Sequence, residues 1–454
     1  MDSLFEPLRA AGLTSLRVQY DWRRDRVTLT AAREWEGVKW ARYRRDFTWE
    51  DTLTVRGTML SGEEVRTLYA RHGLAEHLEA VVALLRAGRH ERMEAWLFPE
   101  QDIRFFNNVH SSVIGLDNGH HCIRSGGIRR HSAEEDELEV IVDGLNLARG
   151  MSFKNAVAGL PFGGCKSVVI TPPVDLEDDE ALGFIAYCID RTRSYTGPDM
   201  GLDAELADVM NQCFSRNFGG GRGTKIGPSG RPTAYGVYLA IKEVAQWAWG
   251  SGDLGGRRIA VQGLGAVGRA LAEYLLEEEA HLLVCDCVPA ATQALLDEYP
   301  TAKGHQITVY DSAQVLSVEA DIYAPCAVGG LLTAENIPRL PFQAVIGGAN
   351  NVLRASSQEE EIALARLLAE HRILYQVEWV QNMGGVMSGI ETYLRGEEAS
   401  AERLMAAIAE RVPRVTRHNL EVAAKEGITP TEVAYREIEK MIYPEKLWPP
   451  VKVV

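Results

Sequence analysis

The sequence lacks the features that mark secreted, membrane-spanning or metal-binding chains. Its seven cysteines are scattered over 454 residues with no repeated CxxC or Cys/His ligand spacing, so free thiols are expected rather than disulfides or a metal site. No apolar run approaches the roughly 18–20 residues of a membrane span, and residues 1–6 lack the basic and apolar regions of a signal peptide. These absences predict a cytoplasmic protein with no membrane partner.

Basic charge is also in short supply. The chain has 63 Asp and Glu against 48 Lys and Arg, a formal net charge of −15 at pH 7. Because such a chain repels phosphate groups, we exclude nucleic acid as a general partner. The local basic cluster at residues 42–45 is expected to form a solvated strand edge or a subunit contact.

Local patterns divide a chain of ordinary globular composition into zones. With 46% hydrophobic and 24% charged residues over 454 positions, two or three domains are expected. Residues 1–95 predict a small α+β unit of unknown role, with strand patterns at 16–20 and 52–56 and a helical repeat at 78–85. Residues 217–230 contain six glycines and one proline, and we interpret them as a linker.

Two zones that alternate strands and helices lie on either side of that linker. Before it, residues 96–220 predict a strand at 105–114, a helix at 137–151 and another strand at 166–170. After it we expect a helix from residue 233, then a βαβ pattern, and finally a helix-rich tail. The predicted fold class is therefore α/β.

A glycine-rich turn after the linker has the context of a dinucleotide-binding site. A short apolar strand, 258–262, leads into a GxGxxG turn, a helix predicted over 269–279, and a second strand followed by Asp286. Asp286 lies 23 residues after Gly263, where a carboxylate would bind a ribose 2′-hydroxyl and repel a 2′-phosphate, so NAD is favoured over NADP. A glycine turn that binds nothing is the alternative. The predicted cofactor residues of the turn are Gly263, Leu264, Gly265, Ala266, Val267 and Gly268.

Two lysines and an aspartate before the linker are candidates for proton transfer. Lys154 and Lys166 flank a stretch with three glycines and a proline, which we interpret as a bend that brings both lysines to one small ligand. Two cations in one desolvated cleft favour the neutral amine of one, which could act as an acid/base while the other holds a carboxylate. Spacing alone leaves open that both are solvated surface lysines. Asp199 lies in the turn 197–201, where an aspartate most often serves the turn itself.

Eight ordered segments carry a common pattern. They are 126–129 (GGIR), 149–155 (RGMSFKN), 158–166 (AGLPFGGCK), 197–201 (GPDMG), 232–237 (PTAYGV), 321–327 (DIYAPCA), 348–351 (GANN) and 382–386 (NMGGV). Together they resemble the glutamate/leucine/phenylalanine/valine dehydrogenase family, and most of all its leucine and phenylalanine branch. The resemblance spans about residues 105–440.

The resemblance implies an NAD-dependent L-amino-acid dehydrogenase built as a homo-oligomer of two-domain subunits. One domain would be a mixed-sheet substrate, catalytic and oligomerisation domain, formed by residues 96–220 with C-terminal helices at about 420–454. The other would be a Rossmann-type NAD domain at 230–420, and the α+β unit at 1–95 would be an addition. The implied reaction is the reversible oxidative deamination of an amino acid to its 2-oxo acid and ammonia.

The resemblance also implies roles for single residues. Lys166 would activate the water that attacks the imino acid, Asp199 would relay the second proton, and Lys154 would bind the substrate α-carboxylate. Asn350 or Asn351 would hold the substrate amino group and the nicotinamide side of the cofactor. Further positions that match the cofactor cleft are Arg129, Ser229, Thr233, Cys326 and Ala327.

The substrate class is inferred from small residues at the positions that match the family's side-chain pocket. The substrate-binding positions so identified, besides Lys154 and the two asparagines, are Ser125, Gly126, Gly197, Val386 and Gly389. Small side chains leave room for a bulky apolar or aromatic amino acid, although Met387, Trp379 or His120 could fill the space. A branched-chain substrate is the alternative.

The chain departs from its relatives at two points. Cys165 stands where close relatives carry a third glycine, and Val377-Glu378 stand where leucine dehydrogenases carry Pro-Asp, which puts the local loop geometry in question. Two other functions compete with amino-acid oxidation: a hydroxy-acid dehydrogenase, which typically uses a His/Arg pair, and a non-catalytic NAD-binding or scaffold protein.

Overall fold

The computed structural model divides the chain into two compact units. Unit 1 contains the chain up to Pro228 together with Thr392–Glu397 and the segment from Ile442. Unit 2 contains Ser229–Glu391 and Glu398–Met441. The residues that the structure describes are 2–45, 58–300, 304, 306–355 and 357–444.

Unit 1 is built on a nine-stranded mixed sheet. Its strand order is β3-β2-β1-β4-β5-β8-β6-β9. β7 is outside this order: it pairs with the end of β8, whereas β6 pairs with the start of β8. The strands are β1 Ser15–Asp21, β2 Arg26–Ala32, β3 Met59–Ser61, β4 Arg92–Phe98, β5 Ile103–Ser111, β6 Arg124–Ser125, β7 Ile128–His131, β8 Gly163–Ile170 and β9 Ser194–Tyr195. The helices are α1 Phe5–Ala10, α2 Glu63–Arg71, α3 Ala75–Ala87, α4 Glu137–Ala158, α5 Asp179–Thr192 and α6 Ala204–Val209.

Both faces of this sheet are covered by apolar layers. Successive residues of a strand point to opposite faces, and Val168 and Val169 of β8 accordingly belong to two different core clusters. The Val168 cluster includes residues of α1, α3 and α4, and the Val169 cluster includes residues of α5 with Trp35 and Trp40. A strand covered on both sides is buried along its length, and all eight residues of β8 are buried, Lys166 and Ser167 included.

The described part of the first ninety-five residues continues this sheet rather than forming a unit of its own. β1 pairs with β4 antiparallel, from Ser15 opposite Trp96 to Gln19 opposite Arg92, and β4 pairs in turn with β5. The boundary predicted near residue 95 therefore falls inside β4. The predicted strand at 16–20 corresponds to β1, whereas the one at 52–56 lies outside the described residues.

The basic cluster at 42–45 does not form a strand edge in the described residues. Trp40–Arg42 is one turn of 3-10 helix, and Tyr43 and Arg44 follow it without strand pairing. Arg44 pairs with Asp179 at 2.5 Å and lies over the Phe214 ring, so part of this basic charge is used within unit 1.

Unit 2 contains a six-stranded parallel sheet with helices between its strands. The order is β12-β11-β10-β13-β14-β15, from strands β10 Arg258–Gln262, β11 His281–Cys285, β12 Ile307–Val309, β13 Ile322–Pro325, β14 Ala344–Val345 and β15 Leu374–Tyr375. Its helices are α7 Gly230–Trp249, α8 Ala266–Glu277, α9 Pro289–Glu298, α10 Gln358–Glu370, α11 Glu378–Gln381, α12 Gly384–Arg395, α13 Ala401–Glu426 and α14 Pro430–Ile442, of which α12 from Thr392 and α14 at Ile442 extend into unit 1. Alternating strands and helices with one strand direction confirm the predicted α/β class.

The start of α7 and the unit to which the C-terminal helices belong also differ from the predictions. The glycine-rich stretch does precede the change of unit, but α7 begins at Gly230 rather than at residue 233. Most of the predicted C-terminal addition to unit 1 belongs instead to unit 2, which keeps the chain as far as Met441. Among the helices that the structure describes, none is both long and apolar enough to cross a bilayer.

Candidate functional site

Lys166 and Asp199 form an ion pair in the interior of unit 1. Lys166 lies within β8, on the face that it shares with Val168 and Ile170, and its Nζ contacts Oδ2 of Asp199. Only 7% of the Lys166 side chain and 22% of the Asp199 side chain are exposed. The structure thus brings together the two residues that sequence reasoning singled out for proton transfer.

Asp199 serves its turn and faces the lysine at the same time. Its backbone N–H donates to the Ile128 carbonyl at 3.1 Å, which ties the turn to β7. Its Oδ1 accepts the Met200 N–H at 2.7 Å, the local bond expected of an aspartate in a turn. Because Oδ2 is the oxygen that contacts Lys166, the structural and the chemical interpretations of this residue hold together.

Two cations keep the Asp199 carboxyl group ionised. Burial would raise its pKa, but the charges of Lys166 and Arg129 outweigh burial, and the pKa lies below the usual range of an aspartate. Hydrogen bonds from Lys166 and from the Met200 N–H act in the same direction. The side chain is therefore an anion at any pH at which an enzyme of this kind would be assayed.

Glycines make room for the ammonium group. A Cβ added at Gly127 would lie 2.8 Å from Lys166 Nζ, and one at Gly126 would lie 2.0 Å from the Cys165 carbonyl oxygen. Gly197 is less tightly enclosed, since a Cβ there would lie 3.2 Å from the Gly219 carbonyl oxygen. The chain before β7 thus runs against β8 as closely as its atoms allow, and larger residues at 126 or 127 would displace the lysine or the strand.

Lys154 occupies a helix and not the edge of a glycine bend. Helix α4 continues past the predicted end at residue 151 to Ala158, because Phe153 and Ala156 are buried on it, and it ends at Gly159 with φ +71°. Lys154 is half-buried in its last turns. Gly163 and Cys165 likewise belong to β8, so the predicted bend is shorter than the sequence indicated.

Ser125 makes a buried polar contact with Asn155, the residue that follows Lys154 in α4. Its Oγ donates to Asn155 Oδ1 at 2.9 Å, and Asn155 Nδ2 donates to the Gly163 carbonyl at 2.7 Å. These bonds connect β6, α4 and β8 at one point. Ser125, Gly126 and Gly197 therefore all belong to the part of unit 1 that contains Lys166.

Arg129 contacts the ion pair from β7. Its Nη1 lies 3.0 and 3.1 Å from the two carboxylate oxygens of Asp143 on α4, and its Nη2 lies 3.4 and 3.5 Å from those of Asp199. Sequence reasoning missed Asp143 and its neighbour His131, because neither carries a local motif. The resemblance assigns Arg129 to the cofactor cleft, and the structure places it in unit 1.

In unit 2 the glycine turn joins β10 to α8 with the features of an anion cradle. Gly263 has φ +86°, and a Cβ at Gly268 would lie 1.8 Å from the Gly263 carbonyl oxygen, so the first turn of α8 packs directly on the end of the strand. Gly265 caps the helix without a side-chain hydrogen bond, and a Cβ there would meet nothing within 4 Å. The open N-terminus of α8, at Ala266 and Val267, suits a phosphate group.

Asp286 follows β11 and supports the same turn. Its Oδ2 accepts the Leu264 N–H at 2.6 Å, and its Oδ1 accepts the Val288 N–H at 2.7 Å. Two further predicted cofactor residues pack beside the glycines: Ala327 lies 2.7 Å from the position of a Gly263 Cβ, and Cys326 lies 3.0 Å from that of Gly268.

Ser229 and Thr233 lie at the start of α7, next to the first turn of α8. Thr233 Oγ1 donates to the Ser229 carbonyl at 2.8 Å. The Ala266 carbonyl oxygen lies 2.7 Å from the position that a Gly230 Cβ would take, which brings the two helix starts together.

The Asn350–Asn351 pair is held by two residues that sequence reasoning did not assign. Asn350 Oδ1 accepts from Asn382 Nδ2 at 2.9 Å. Asn351 adopts φ +51°, and its N–H donates to the buried Glu378 carboxylate at 2.6 Å. Glu378 is one of the departures from the leucine dehydrogenases. Its contact with Asn351 joins residues that lie far apart in the chain, so the sequence alone did not indicate it. Val386 and Gly389 are half-buried on α12 of unit 2.

Comparisons with known proteins identify the family to which the chain is similar. A family model described as "Glu/Leu/Phe/Val dehydrogenase, dimerisation domain" matches residues 109–216, and one described as "Glutamate/Leucine/Phenylalanine/Valine dehydrogenase" matches residues 284–442. Valine dehydrogenase of Streptomyces albus is 35% identical over 314 residues, 67% of this chain and 81% of that protein. Phenylalanine dehydrogenase of Lysinibacillus sphaericus is 34% identical over 365 residues, 79% and 90% of the two chains.

A solved structure is similar over nearly its whole length. The crystal structure of L-tryptophan dehydrogenase from Nostoc punctiforme superimposes with a TM-score of 0.62 at 27% identity, covering 80% of this chain and 98% of that one.

Proposed function

Because the chain belongs to the glutamate/leucine/phenylalanine/valine dehydrogenase family, we propose that it uses NAD to deaminate a bulky apolar or aromatic L-amino acid oxidatively. The family makes it an amino-acid dehydrogenase, and so an oxidoreductase. The observation that carries the proposal is the buried Lys166–Asp199 pair, which sets an ammonium group and a carboxylate in contact beside a glycine-lined backbone.

The pair handles the protons of the hydrolytic half of the reaction. NAD, when bound, supplies the acceptor for the hydride that leaves Cα of the amino acid. Lys166, reacting as the neutral amine, then takes a proton from water while the hydroxide equivalent adds to Cα of the resulting imino acid. Asp199 accepts that proton from Lys166 and passes it to the departing nitrogen, and Lys166 takes up the hydroxyl proton as the carbonyl forms, so that the C–N bond breaks and ammonia leaves. Contact between the two groups allows the proton to move without a solvent intermediate.

Further residues are proposed to bind the rest of the amino acid. Lys154, half-buried on α4, is proposed to hold the α-carboxylate, since its ammonium is a compact positive charge with three hydrogen-bond donors. Asn350 and Asn351, fixed by Asn382 and Glu378, are proposed to hold the amino group and the nicotinamide side of the cofactor.

The residues of unit 2 fit NAD. The open N-terminus of α8 and the space above Gly265 suit a pyrophosphate, and the glycines at 263 and 268 permit no larger side chain. Asp286 would bind the ribose 2′-hydroxyl and repel a 2′-phosphate, which favours NAD over NADP. The starts of α7 and α8 are surrounded by the other predicted cofactor residues, Ser229, Thr233, Cys326 and Ala327.

Small residues support a large side chain on the substrate. Gly197 and Ser125 in unit 1, and Gly389 in unit 2, take up little volume. Relatives named for phenylalanine and tryptophan favour an aromatic amino acid, and the relative named for valine keeps a branched-chain substrate as the alternative. The family model for a dimerisation domain, matched over 109–216, supports a homo-oligomer, which we place in the cytoplasm.

A panel of L-amino acids tests the proposal. The full-length protein is incubated with each amino acid and either NAD or NADP, and reduced cofactor is followed by absorbance. We expect the highest kcat/KM with phenylalanine, tryptophan or another bulky apolar residue and NAD. Highest activity with valine or leucine would select the branched-chain alternative, and preference for NADP would overturn the role of Asp286.

Two arms of the same experiment separate the competing functions. With 2-oxo acids, consumption of NADH must require ammonium; consumption without ammonium would indicate a hydroxy-acid dehydrogenase. Lys166→Ala is expected to lower kcat by about 10²-fold or more while NAD still binds, as general acid–base catalysis of this size predicts. Lys242→Ala, which removes another ion-paired lysine, is the control and should retain activity.

A further inference from the structure

We propose that Arg129 and Asp143 are positioning residues that hold the Asp199 carboxylate toward Lys166. The inference rests on the proposed function and adds two residues that act on the site through Asp199. It accounts for an arginine and an aspartate that come from different elements, β7 and α4, and meet beside the ion pair.

The distances show which contact anchors the arginine. The two contacts to Asp143, at 3.0 and 3.1 Å, are shorter than the two to Asp199, at 3.4 and 3.5 Å. The guanidinium is thus fixed by Asp143 and presents its second nitrogen to Asp199 at longer range. Lys166 keeps the closest contact with Asp199, which proton transfer requires.

Asp143 is itself in contact with a second basic residue of β7, His131. His131 Nε2 lies 3.3 Å from Asp143, and its Nδ1 lies 2.7 Å from the half-exposed Glu135. Burial opposes ionisation of both groups. Hydrogen bonds to Asp143 and Glu135 nevertheless raise the pKa of His131, and the hydrogen bond from His131 with the charge of Arg129 lowers the pKa of Asp143. With His131 protonated, charges alternate from Glu135 to Lys166.

This chain of charges acts through position and field, not as a proton wire. Arginine does not give up its proton in proteins, so no proton passes through Arg129. The contacts are also not needed to hold the elements together, since β7 pairs with β8 along its length and α4 is buried through Val140 and Ile141. What they add is a fixed cation next to Asp199, placed on rigid elements.

A double-mutant cycle tests the coupling. Arg129→Gln and Asp143→Asn are each expected to lower kcat about tenfold with less than threefold change in either KM, because a misplaced carboxylate slows the proton step and leaves binding intact. The double variant should be no slower than the worse single variant, since both act through one chain. Asp143→Glu should recover part of kcat. Glu139→Gln, one turn earlier on the exposed face of α4, is the control and should multiply independently with Arg129→Gln.

A measurement without turnover keeps the inference separate from the proposed function. The pKa of Asp199, followed by carboxyl carbon NMR, should rise in Arg129→Gln, because one of its two cations is lost. Unchanged kcat, multiplicative effects in the cycle or an unchanged Asp199 titration would each overturn the inference. A raised KM for NAD at constant kcat would assign Arg129 to the cofactor instead. If no amino acid is oxidised by the unmodified protein, the proposed function fails, and the titration alone decides this inference.

Discussion

At the scale of single residues, one side chain often satisfies a structural and a chemical requirement together. Asp199 gives one oxygen to its own turn and the other to Lys166, so a turn preference and a catalytic role do not compete. Asp286 in unit 2 likewise combines two roles. Both of its carboxylate oxygens accept hydrogen bonds from backbone N–H groups of the predicted cofactor site. Cys165 shows no such second, chemical role. Burial raises the pKa of its thiol, which argues against a redox function.

Asp286 allows a test of cofactor choice that separates charge from folding. Asp286→Asn keeps an acceptor for a backbone N–H but removes the negative charge, so the preference for NAD over NADP should fall about tenfold. The ratio of kcat/KM values for the two cofactors measures this. Asp311→Asn is the control, because Asp311 also follows a strand and accepts one backbone N–H. An equal change of the ratio in both variants would contradict the assignment.

At the scale of elements, two glycines of one turn have opposite reasons to be glycine. The Gly268 Cβ position is blocked by the Gly263 backbone, whereas the Gly265 Cβ position is open. We expect Gly268→Ala to destabilise unit 2 by about 1–3 kcal/mol through overpacking, as measured by urea unfolding. Gly265→Ala should unfold at nearly the same urea concentration but bind NAD more weakly, because the methyl group occupies the space for the pyrophosphate. Equal effects on stability would refute the distinction.

The elements also show how far local sequence carries a prediction. β10 was predicted residue for residue, and the following glycine turn and strand were correctly located, because strand, turn and helix signals there lie within thirty residues. Helix α4 was ended too early, since its last turns are stabilised by burial of Phe153 and Ala156 rather than by helix propensity.

The candidate site was predictable only where a motif marks it. Lys166 and Asp199 were found through such motifs, and they do meet in the structure. Asp143 and His131 were not, because they lie on different elements, α4 and β7, and no motif at either position marks a charge network. Pairing of β1 with β4 was missed for the same reason: strand partners far apart in sequence are chosen by the whole sheet.

At the scale of the whole molecule, a buried histidine pair makes stability depend on pH. His90 and His110 pack with ring centroids 5.1 Å apart, and Tyr443 contacts His110 at 2.6 Å. Burial, with the charge of Arg149, lowers the pKa of His90 to about 3, and burial lowers the pKa of His110 as well. Both are neutral in the folded state, so acid protonates the unfolded chain first.

This linkage predicts the direction of the pH effect. Below the ordinary histidine pKa of about 6.5, the free energy of unfolding should fall by up to about 1.4 kcal/mol per pH unit for each histidine. The thermal midpoint should therefore drop between pH 7.5 and 5.0, and drop less in His90→Phe, which keeps an aromatic ring but cannot titrate. His418→Gln, on the exposed surface of α13, is the control and should follow the unmodified protein. An identical drop in His90→Phe would exclude the pair as its source.

The added strands of unit 1 also decide where that sheet stops. β1 covers the backbone of β4 from Arg92 to Trp96, β2 covers β1, and the outermost strand, β3, is only three residues long. A shortened chain that began after β2 would expose the backbone N–H and C=O groups along the edge of β4. Such an edge can pair with a strand of another molecule. The extra segment therefore replaces the open edge of β4 with an edge formed by β2 and β3.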